Sequence, residues 1–233
     1  MLKIENVTGG YINIPVLKNI SFEVGDGEWV GLIGLNGAGK STTINEVIGL
    51  LTPYQGKITL DGLTLADNQA EYRKKIGFIP ETPSLYEELT LREHLETVAM
   101  AYDLDFDEAM ARAKELLATV GLPDATIMKK YPHTLSGGQR QRMEIARVLA
   151  QDPSIIILDE ATSALDAKTE YDVINSIHER GITCIVIAHR LSTVRDCDEI
   201  IVLDGGKITE RGTHEELLKT DGVYKHLYET QFF

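Results

Sequence analysis
Short runs of Val, Ile and Leu recur along the 233 residues, separated by turn residues and by stretches with helical spacing. Residues 30–33, 155–158 and 184–187 are nearly continuous apolar segments. Such segments are expected of strands buried on both faces of a parallel sheet. Residues 2–7, 20–24 and 57–60 alternate apolar with polar positions and predict a smaller, more antiparallel layer. Near the end, residues 199–203 and 207–209 flank Asp204-Gly205-Gly206, which predicts a hairpin.

The middle of the chain, residues 91–149, reads as helical throughout. Thr90 can cap a helix starting at Leu91, with Glu93 closing a capping box. Asp107 is the expected cap of the next helix, with Met110, Ala113, Leu117 and Val120 on its apolar stripe and Gly121 as its stop. The predicted fold class is α/β, with a mainly parallel sheet, an N-terminal antiparallel β layer and an inserted helical sub-domain. The expected boundaries are 1–88 and 151–233 for the core and 89–150 for the helices.

Composition narrows the function. A formal net charge of −13 argues against a nucleic-acid binder, and the pairs Lys74-Lys75 and Lys129-Lys130 are isolated and form no basic stripe. Cys184 and Cys197 lack metal-ligand spacing and make no disulfide framework, so a reducing compartment is expected. The first residues lack a basic head followed by an apolar stretch, so no signal peptide is expected. No apolar run approaches the roughly 20 residues that a spanning helix needs. Any membrane crossing is therefore expected from another chain or segment.

The apolar run at 30–33 leads into Gly34-Leu35-Asn36-Gly37-Ala38-Gly39-Lys40-Ser41-Thr42. This is the G-x-x-x-x-G-K-[ST] loop in its strand-to-helix setting. The glycines let the chain curl so that several amides point inward at phosphate oxygens. The following helix offers its free N–H groups to the same anion. Lys40 adds a compact positive charge at the β- and γ-phosphates, and the Ser41 hydroxyl is a Mg²⁺ ligand in such loops. A second constellation ends the run at 155–158: Asp159-Glu160. Acids at the carboxyl end of a parallel strand sit where open α/β sheets bind ligands. Asp159 suits Mg²⁺, and Glu160 is the candidate general base toward an attacking water.

Leu135-Ser136-Gly137-Gly138-Gln139 precedes a helix, with Ser136 as its expected cap. Glycines at a helix start make a second anion site. One nucleotide does not need two such sites from one chain, so two chains arranged head to tail would explain both. With LSGGQ, the phosphate loop and ILDEATSALD together, the chain resembles the nucleotide-binding domain of an ATP-binding cassette (ABC) transporter over nearly its full length. That resemblance implies a dimer closing on two Mg-ATP, ATP hydrolysis and a transmembrane permease partner. It also implies a place on the cytoplasmic face of the cell membrane. Tyr11 resembles the aromatic that stacks on adenine, Asp166 the aspartate that joins the two sites, and His189 the histidine that contacts the γ-phosphate.

Where the family usually has Gln, after residues 76–80, this chain has Glu81. A carboxylate there would bind Mg²⁺ more strongly but repel the γ-phosphate. Residues 1–134, with Leu85-Tyr86-Glu87, resemble stand-alone ABC-2-type exporter ATPases. Residues 135–231, with Thr193-Val194-Arg195 and Thr213-His214-Glu215-Glu216-Leu217, are similar to the ATPase ends of peptide or multidrug exporters, as in a chimera or a designed sequence. The competing expectations are an ATP-dependent clamp or regulatory module outside transport, and a domain separated from its membrane half.

Overall fold
The computed structural model describes residues 1–122, 125–187 and 191–232. In chain order the elements are β1 (Leu2–Tyr11), β2 (Ile14–Val24), β3 (Trp29–Gly34), α1 (Lys40–Val47), β4 (Gln55–Leu60), α2 (Gln69–Lys74), β5 (Ile76–Ile79), α3 (Leu91–Tyr102) and α4 (Phe106–Thr119). There follow α5 (Gly137–Leu149), β6 (Ile155–Asp159), α6 (Ala167–Glu179), β7 (Thr183–Ile187), α7 (Leu191–Val194), β8 (Glu199–Asp204), β9 (Lys207–Gly212), α8 (His214–Lys219) and α9 (Val223–Phe232). They gather into two compact units: Met1–Ile76 with Thr183–Phe233, and Gly77–Ile182.

The first unit holds two β layers. In one, β1 lies between β2 and β4 and is antiparallel to both. The alternating segments put Leu2, Ile4, Val7, Ile20, Phe22 and Val24 inside, and Leu17, outside those segments, is buried with them. Both strands run further than their alternation suggests, because register shifts break the period. Asn6 and Asn19 take φ of 51° and 56° at these irregularities, a region that asparagine tolerates better than most residues. A two-residue turn at Ile12-Asn13, with φ of 48° and 63°, joins Tyr11 to Ile14.

In the other layer β3 is parallel to β7 and β8, and β8 pairs antiparallel with β9. The near-continuous apolar runs of β3 and β7 are buried along their length. Gly31 interrupts the β3 run for a packing reason: a Cβ there would sit 2.9 Å from Cβ of Val194 in α7. The turn between β8 and β9 is Gly205-Gly206, with φ of 53° and 83°. Two positive φ values are what a tight hairpin matching the strand twist requires.

The second unit is built on α3, α4 and α5, which pack on one another, with β5 and β6 as neighbouring strands. Thr90 and Glu93 form the expected capping box at α3. The start of α4 differs from expectation: Asp105, not Asp107, is its cap, accepting from the Glu108 amide at 2.9 Å. Asp103 ends α3 in a left-handed conformation, so the connection is only a few residues long and the cap falls earlier. Asp107 then lies in the first turn, where its charge still suits the helix dipole. The far end follows the reading. Gly121 has φ of 73°, its amide reaches Ala118 O at 3.1 Å, and Leu122 N–H reaches Leu117 O at 2.7 Å. This is the glycine-terminated double closure of a Schellman motif.

Candidate functional site
The phosphate loop lies in the first unit. β3 ends at Gly34, and α1 starts at Lys40 after Gly39, whose φ is 112°. Within the loop, Ala38 N–H donates to Leu35 O at 3.1 Å, and Thr43 donates both its amide and its hydroxyl to Gly39 O at 2.9 Å. The Lys40 ammonium is largely buried and donates to Gly34 O at 2.7 Å and Leu35 O at 3.3 Å. It thus lies across the loop it follows. Gly37 has φ of 81°, and a Cβ on it would meet nothing within 4 Å, so this part of the loop borders open space.

The start of α1 differs from that of the other well-defined helices. Asn68, Thr90, Asp105, Ser136, Asp166 and Thr213 each cap a helix through a side-chain oxygen. Gly39 has no side chain to do so, and no side-chain cap is present at α1. The first amides of a helix are left over by geometry and need a partner. Here they adjoin a lysine, an exposed Ser41 and the further amides of the glycine loop. An anion with several oxygens satisfies that set. The donor chemistry therefore fits a nucleotide polyphosphate.

Tyr11, at the end of β1, is 44% exposed and its hydroxyl accepts from Asn45 Nδ2 at 3.1 Å. Asn45 is on α1, so the helix that carries Lys40 also steadies the aromatic ring. Two supporting residues, Lys18 and Gly206, are not part of the site as read from the sequence. Gly206 N–H donates to Ala38 O at 3.2 Å, and Lys18 N–H donates to Gly206 O at 2.8 Å. A Cβ on Gly206 would lie 1.7 Å from Val16 O. The double glycine reads locally as a hairpin turn; its second role, backing the phosphate loop, comes from a contact distant in sequence.

In the second unit, β6 delivers Asp159 and Glu160 half-buried at its carboxyl end. Glu160 takes φ of 52°, and its carbonyl accepts from Ser163 N–H at 3.0 Å. A left-handed conformation in a residue with a Cβ costs of order 1 kcal/mol and is kept where the surroundings over-determine it. Asp166 caps α6, accepting from Thr169 N–H at 3.1 Å and from the Thr169 hydroxyl at 2.7 Å. Those two bonds hold its carboxyl below the usual range. Ser136 and Gln139 form a reciprocal capping box at α5, Ser136 N–H to Gln139 Oε1 at 3.0 Å and Gln139 N–H to Ser136 Oγ at 3.3 Å. This leaves the Gly137 and Gly138 amides with no partner among the described residues. A Cβ on Gly137 would meet nothing within 4 Å. Glu81 is exposed just beyond β5. His189 lies outside the described residues.

Comparison with known proteins gives a consistent answer. Residues 17–163 match the family described as ABC transporter. The chain is 40% identical to the ABC-type transporter ATP-binding protein EcsA of Bacillus subtilis, over 96% of this chain and 91% of that one. It superposes on the solved ATP-binding subunit of an ABC transporter with a TM-score of 0.90 and 36% identity, covering 99% of this chain and 98% of that one. It also superposes on a dimeric cassette in a post-hydrolysis state bound to ADP and phosphate, with a TM-score of 0.79 and 33% identity, over 91% of this chain and 98% of that one. Other curated relatives are longer. The chain spans 37% of the ATP-dependent lipid A-core flippase of Burkholderia pseudomallei, to which it is 40% identical over 93% of its own length.

Proposed function
This chain belongs to the ABC transporter family as one of its ATP-binding domains, an ATP-hydrolysing transport subunit, and from that premise we propose which residues carry its chemistry. The phosphates of one ATP are gripped by Gly34, Leu35, Asn36, Gly37, Ala38, Gly39, Lys40, Ser41 and Thr42. The observation that carries this reading is the uncapped start of α1, with Lys40 laid across the loop. Tyr11 stacks on the adenine, its ring held by Asn45. Ser136, Gly137, Gly138 and Gln139 of a second copy close over the same nucleotide, and Asp166 joins the two sites.

Ser41, Asp159 and Glu81 are the residues that would hold Mg²⁺, and all three present the hard oxygen donors that this ion takes. Held by those oxygens, the ion would supply positive charge to offset the negative charge building on the β- and γ-phosphates. Lys40 adds fixed positive charge at the same oxygens. Glu160 holds the attacking water and takes its proton, and His189 contacts the γ-phosphate. The strained left-handed backbone at Glu160, kept directly after the strand that ends in Asp159, supports this role.

By function, the proposed division is a core of 1–88 and 151–233 with 89–150 as the helical sub-domain, whereas by packing the second compact unit reaches further on both sides, from Gly77 to Ile182. Among the described residues no helix is long and apolar enough to cross a membrane. As an ATP-binding domain of this family, the chain would work as a peripheral subunit on the cytoplasmic face of the cell membrane, docked on a transmembrane permease, and drive transport in the export direction. The docking segment is 81–88, where Tyr86 is 65% exposed. The test is Glu160→Gln. Loss of a general base is worth about 10²–10⁴ in rate, so single-turnover hydrolysis should fall by about that factor while ATP affinity stays within about twofold. Hydrolysis at the parental rate would remove Glu160 from this role.

A further inference from the structure
The segment after β5 is clasped to the N-terminal part of α5 at both of its ends. Gln141, completely buried on α5, donates its Nε2 to Pro80 O at 3.3 Å. Its neighbour Arg140 makes an ion pair through Nη2 with Oε1 of Glu87. Between these anchors, Tyr86 N–H donates to His94 Nε2 at 2.9 Å, and the Tyr86 ring stacks on the His94 ring with centroids 5.9 Å apart. His94 is 2% exposed on α3, and its Nδ1 lies 2.8 Å from Thr90 O. The ring can serve both partners only as the neutral Nδ1–H tautomer, donating to the carbonyl and accepting from the amide. Burial holds its pKa below the usual histidine value, which keeps that form.

Arg140 lies about one turn from Ser136 and Gly137, and Gln141 about one turn from Gly137 and Gly138. That turn is shared rigidly: the Ser136–Gln139 capping box and the bond from Arg140 N–H to Ser136 O at 2.9 Å fix it to the helix. A helix rises about 1.5 Å per residue, so residues three or four apart on its first turn move together. We infer that Arg140 and Gln141 are positioning residues: they set where the glycine turn of α5 sits according to where the 80–88 segment sits. This rests on the proposed gripping of a partner's nucleotide by that turn. A push on the segment would then reach the dimer contact through two adjacent side chains, with no rearrangement of the helix.

The ion pair allows a direct test, because its charges can be exchanged. In the hydrolysis-blocked Glu160→Gln protein, the ATP-dependent dimerisation constant is measured by sedimentation equilibrium for Glu87→Arg, Arg140→Glu and the double exchange. ATP affinity of the dilute monomer and the thermal midpoint are recorded alongside. Each single exchange should weaken ATP-dependent dimerisation about tenfold or more with monomer ATP affinity unchanged. The double exchange should recover most of the loss. Single exchanges that leave dimerisation unaltered overturn the inference. So does a double exchange that stays defective with a parental thermal midpoint. Ser136→Arg separates the underlying reading from this one: if it too leaves dimerisation intact, the glycine turn does not grip the partner's nucleotide at all.

Discussion

Glu46 offers a quantitative check on how α1 is held. It lies on the helix that follows the phosphate loop, is 4% exposed, and neither carboxyl oxygen has a hydrogen-bond partner among the described residues. Its carboxyl lies against β1 so closely that a Cβ on Gly9 would fall 1.6 Å from Oε1. Burial without a partner disfavours the charged form and pushes its pKa from 4.5 up to about 7. Between those values the folded protein retains a proton that the unfolded chain has released, so stability falls as pH rises across that window. Below the window both states are protonated, and above it both are ionised and the loss is complete. At about 1.4 kcal/mol per pKa unit, the loss is about 3 kcal/mol. Glu46→Gln keeps the shape and removes the titration. Thermal unfolding followed by circular dichroism at a series of pH values between about 4 and 8 reads the difference. For a chain of this size, roughly 2–4 °C per kcal/mol gives a midpoint gap that widens by roughly 6–12 °C toward the alkaline end. Parallel profiles for parent and variant would refute the assignment of a neutral, unpaired carboxyl beneath α1.

Other expectations follow from single environments. Cys184 is fully buried and its thiol is held well above its usual pKa, while burial pushes Cys197 up to about 12. A chromogenic disulfide reagent near pH 8 should label neither thiol in the native protein and both after denaturation; fast native labelling would contradict the packing around β3 and β7. Glu81→Gln should leave ATP binding intact and shift the Mg²⁺ concentration dependence of turnover. An unchanged dependence would take Glu81 out of the metal shell.

The strands β3, β6 and β7 were legible in the sequence because burial on both faces leaves only one kind of residue along them. The phosphate loop was legible because its glycines, lysine and hydroxyls are adjacent in sequence. The helix caps at Thr90 and Ser136 are equally local. The start of α4 was misread for a physical reason: several acids follow one another from Asp103 to Glu108, any of which can cap, and the tight left-handed ending of α3 selects Asp105. The full length of β1 and β2 was hidden by bulges, where the period of two is lost. The roles of Gly206, Asn45, Gln141, Arg140 and His94 depend on partners distant in sequence. Their own residue types suit a turn, a helix surface or a core equally well, so no local pattern marks them.

The most direct measurement is the mass in solution of the Glu160→Gln protein, by sedimentation, with and without ATP and with Lys40→Ala added as a second substitution. We expect a single copy without nucleotide, twice that mass with ATP, and a return to the single copy when Lys40 is also removed. A chain that binds ATP yet stays a single copy at high concentration, or one that pairs equally well without Lys40 and nucleotide, would contradict the central claim that the phosphate loop of one copy and the glycine turn of another hold one ATP between them.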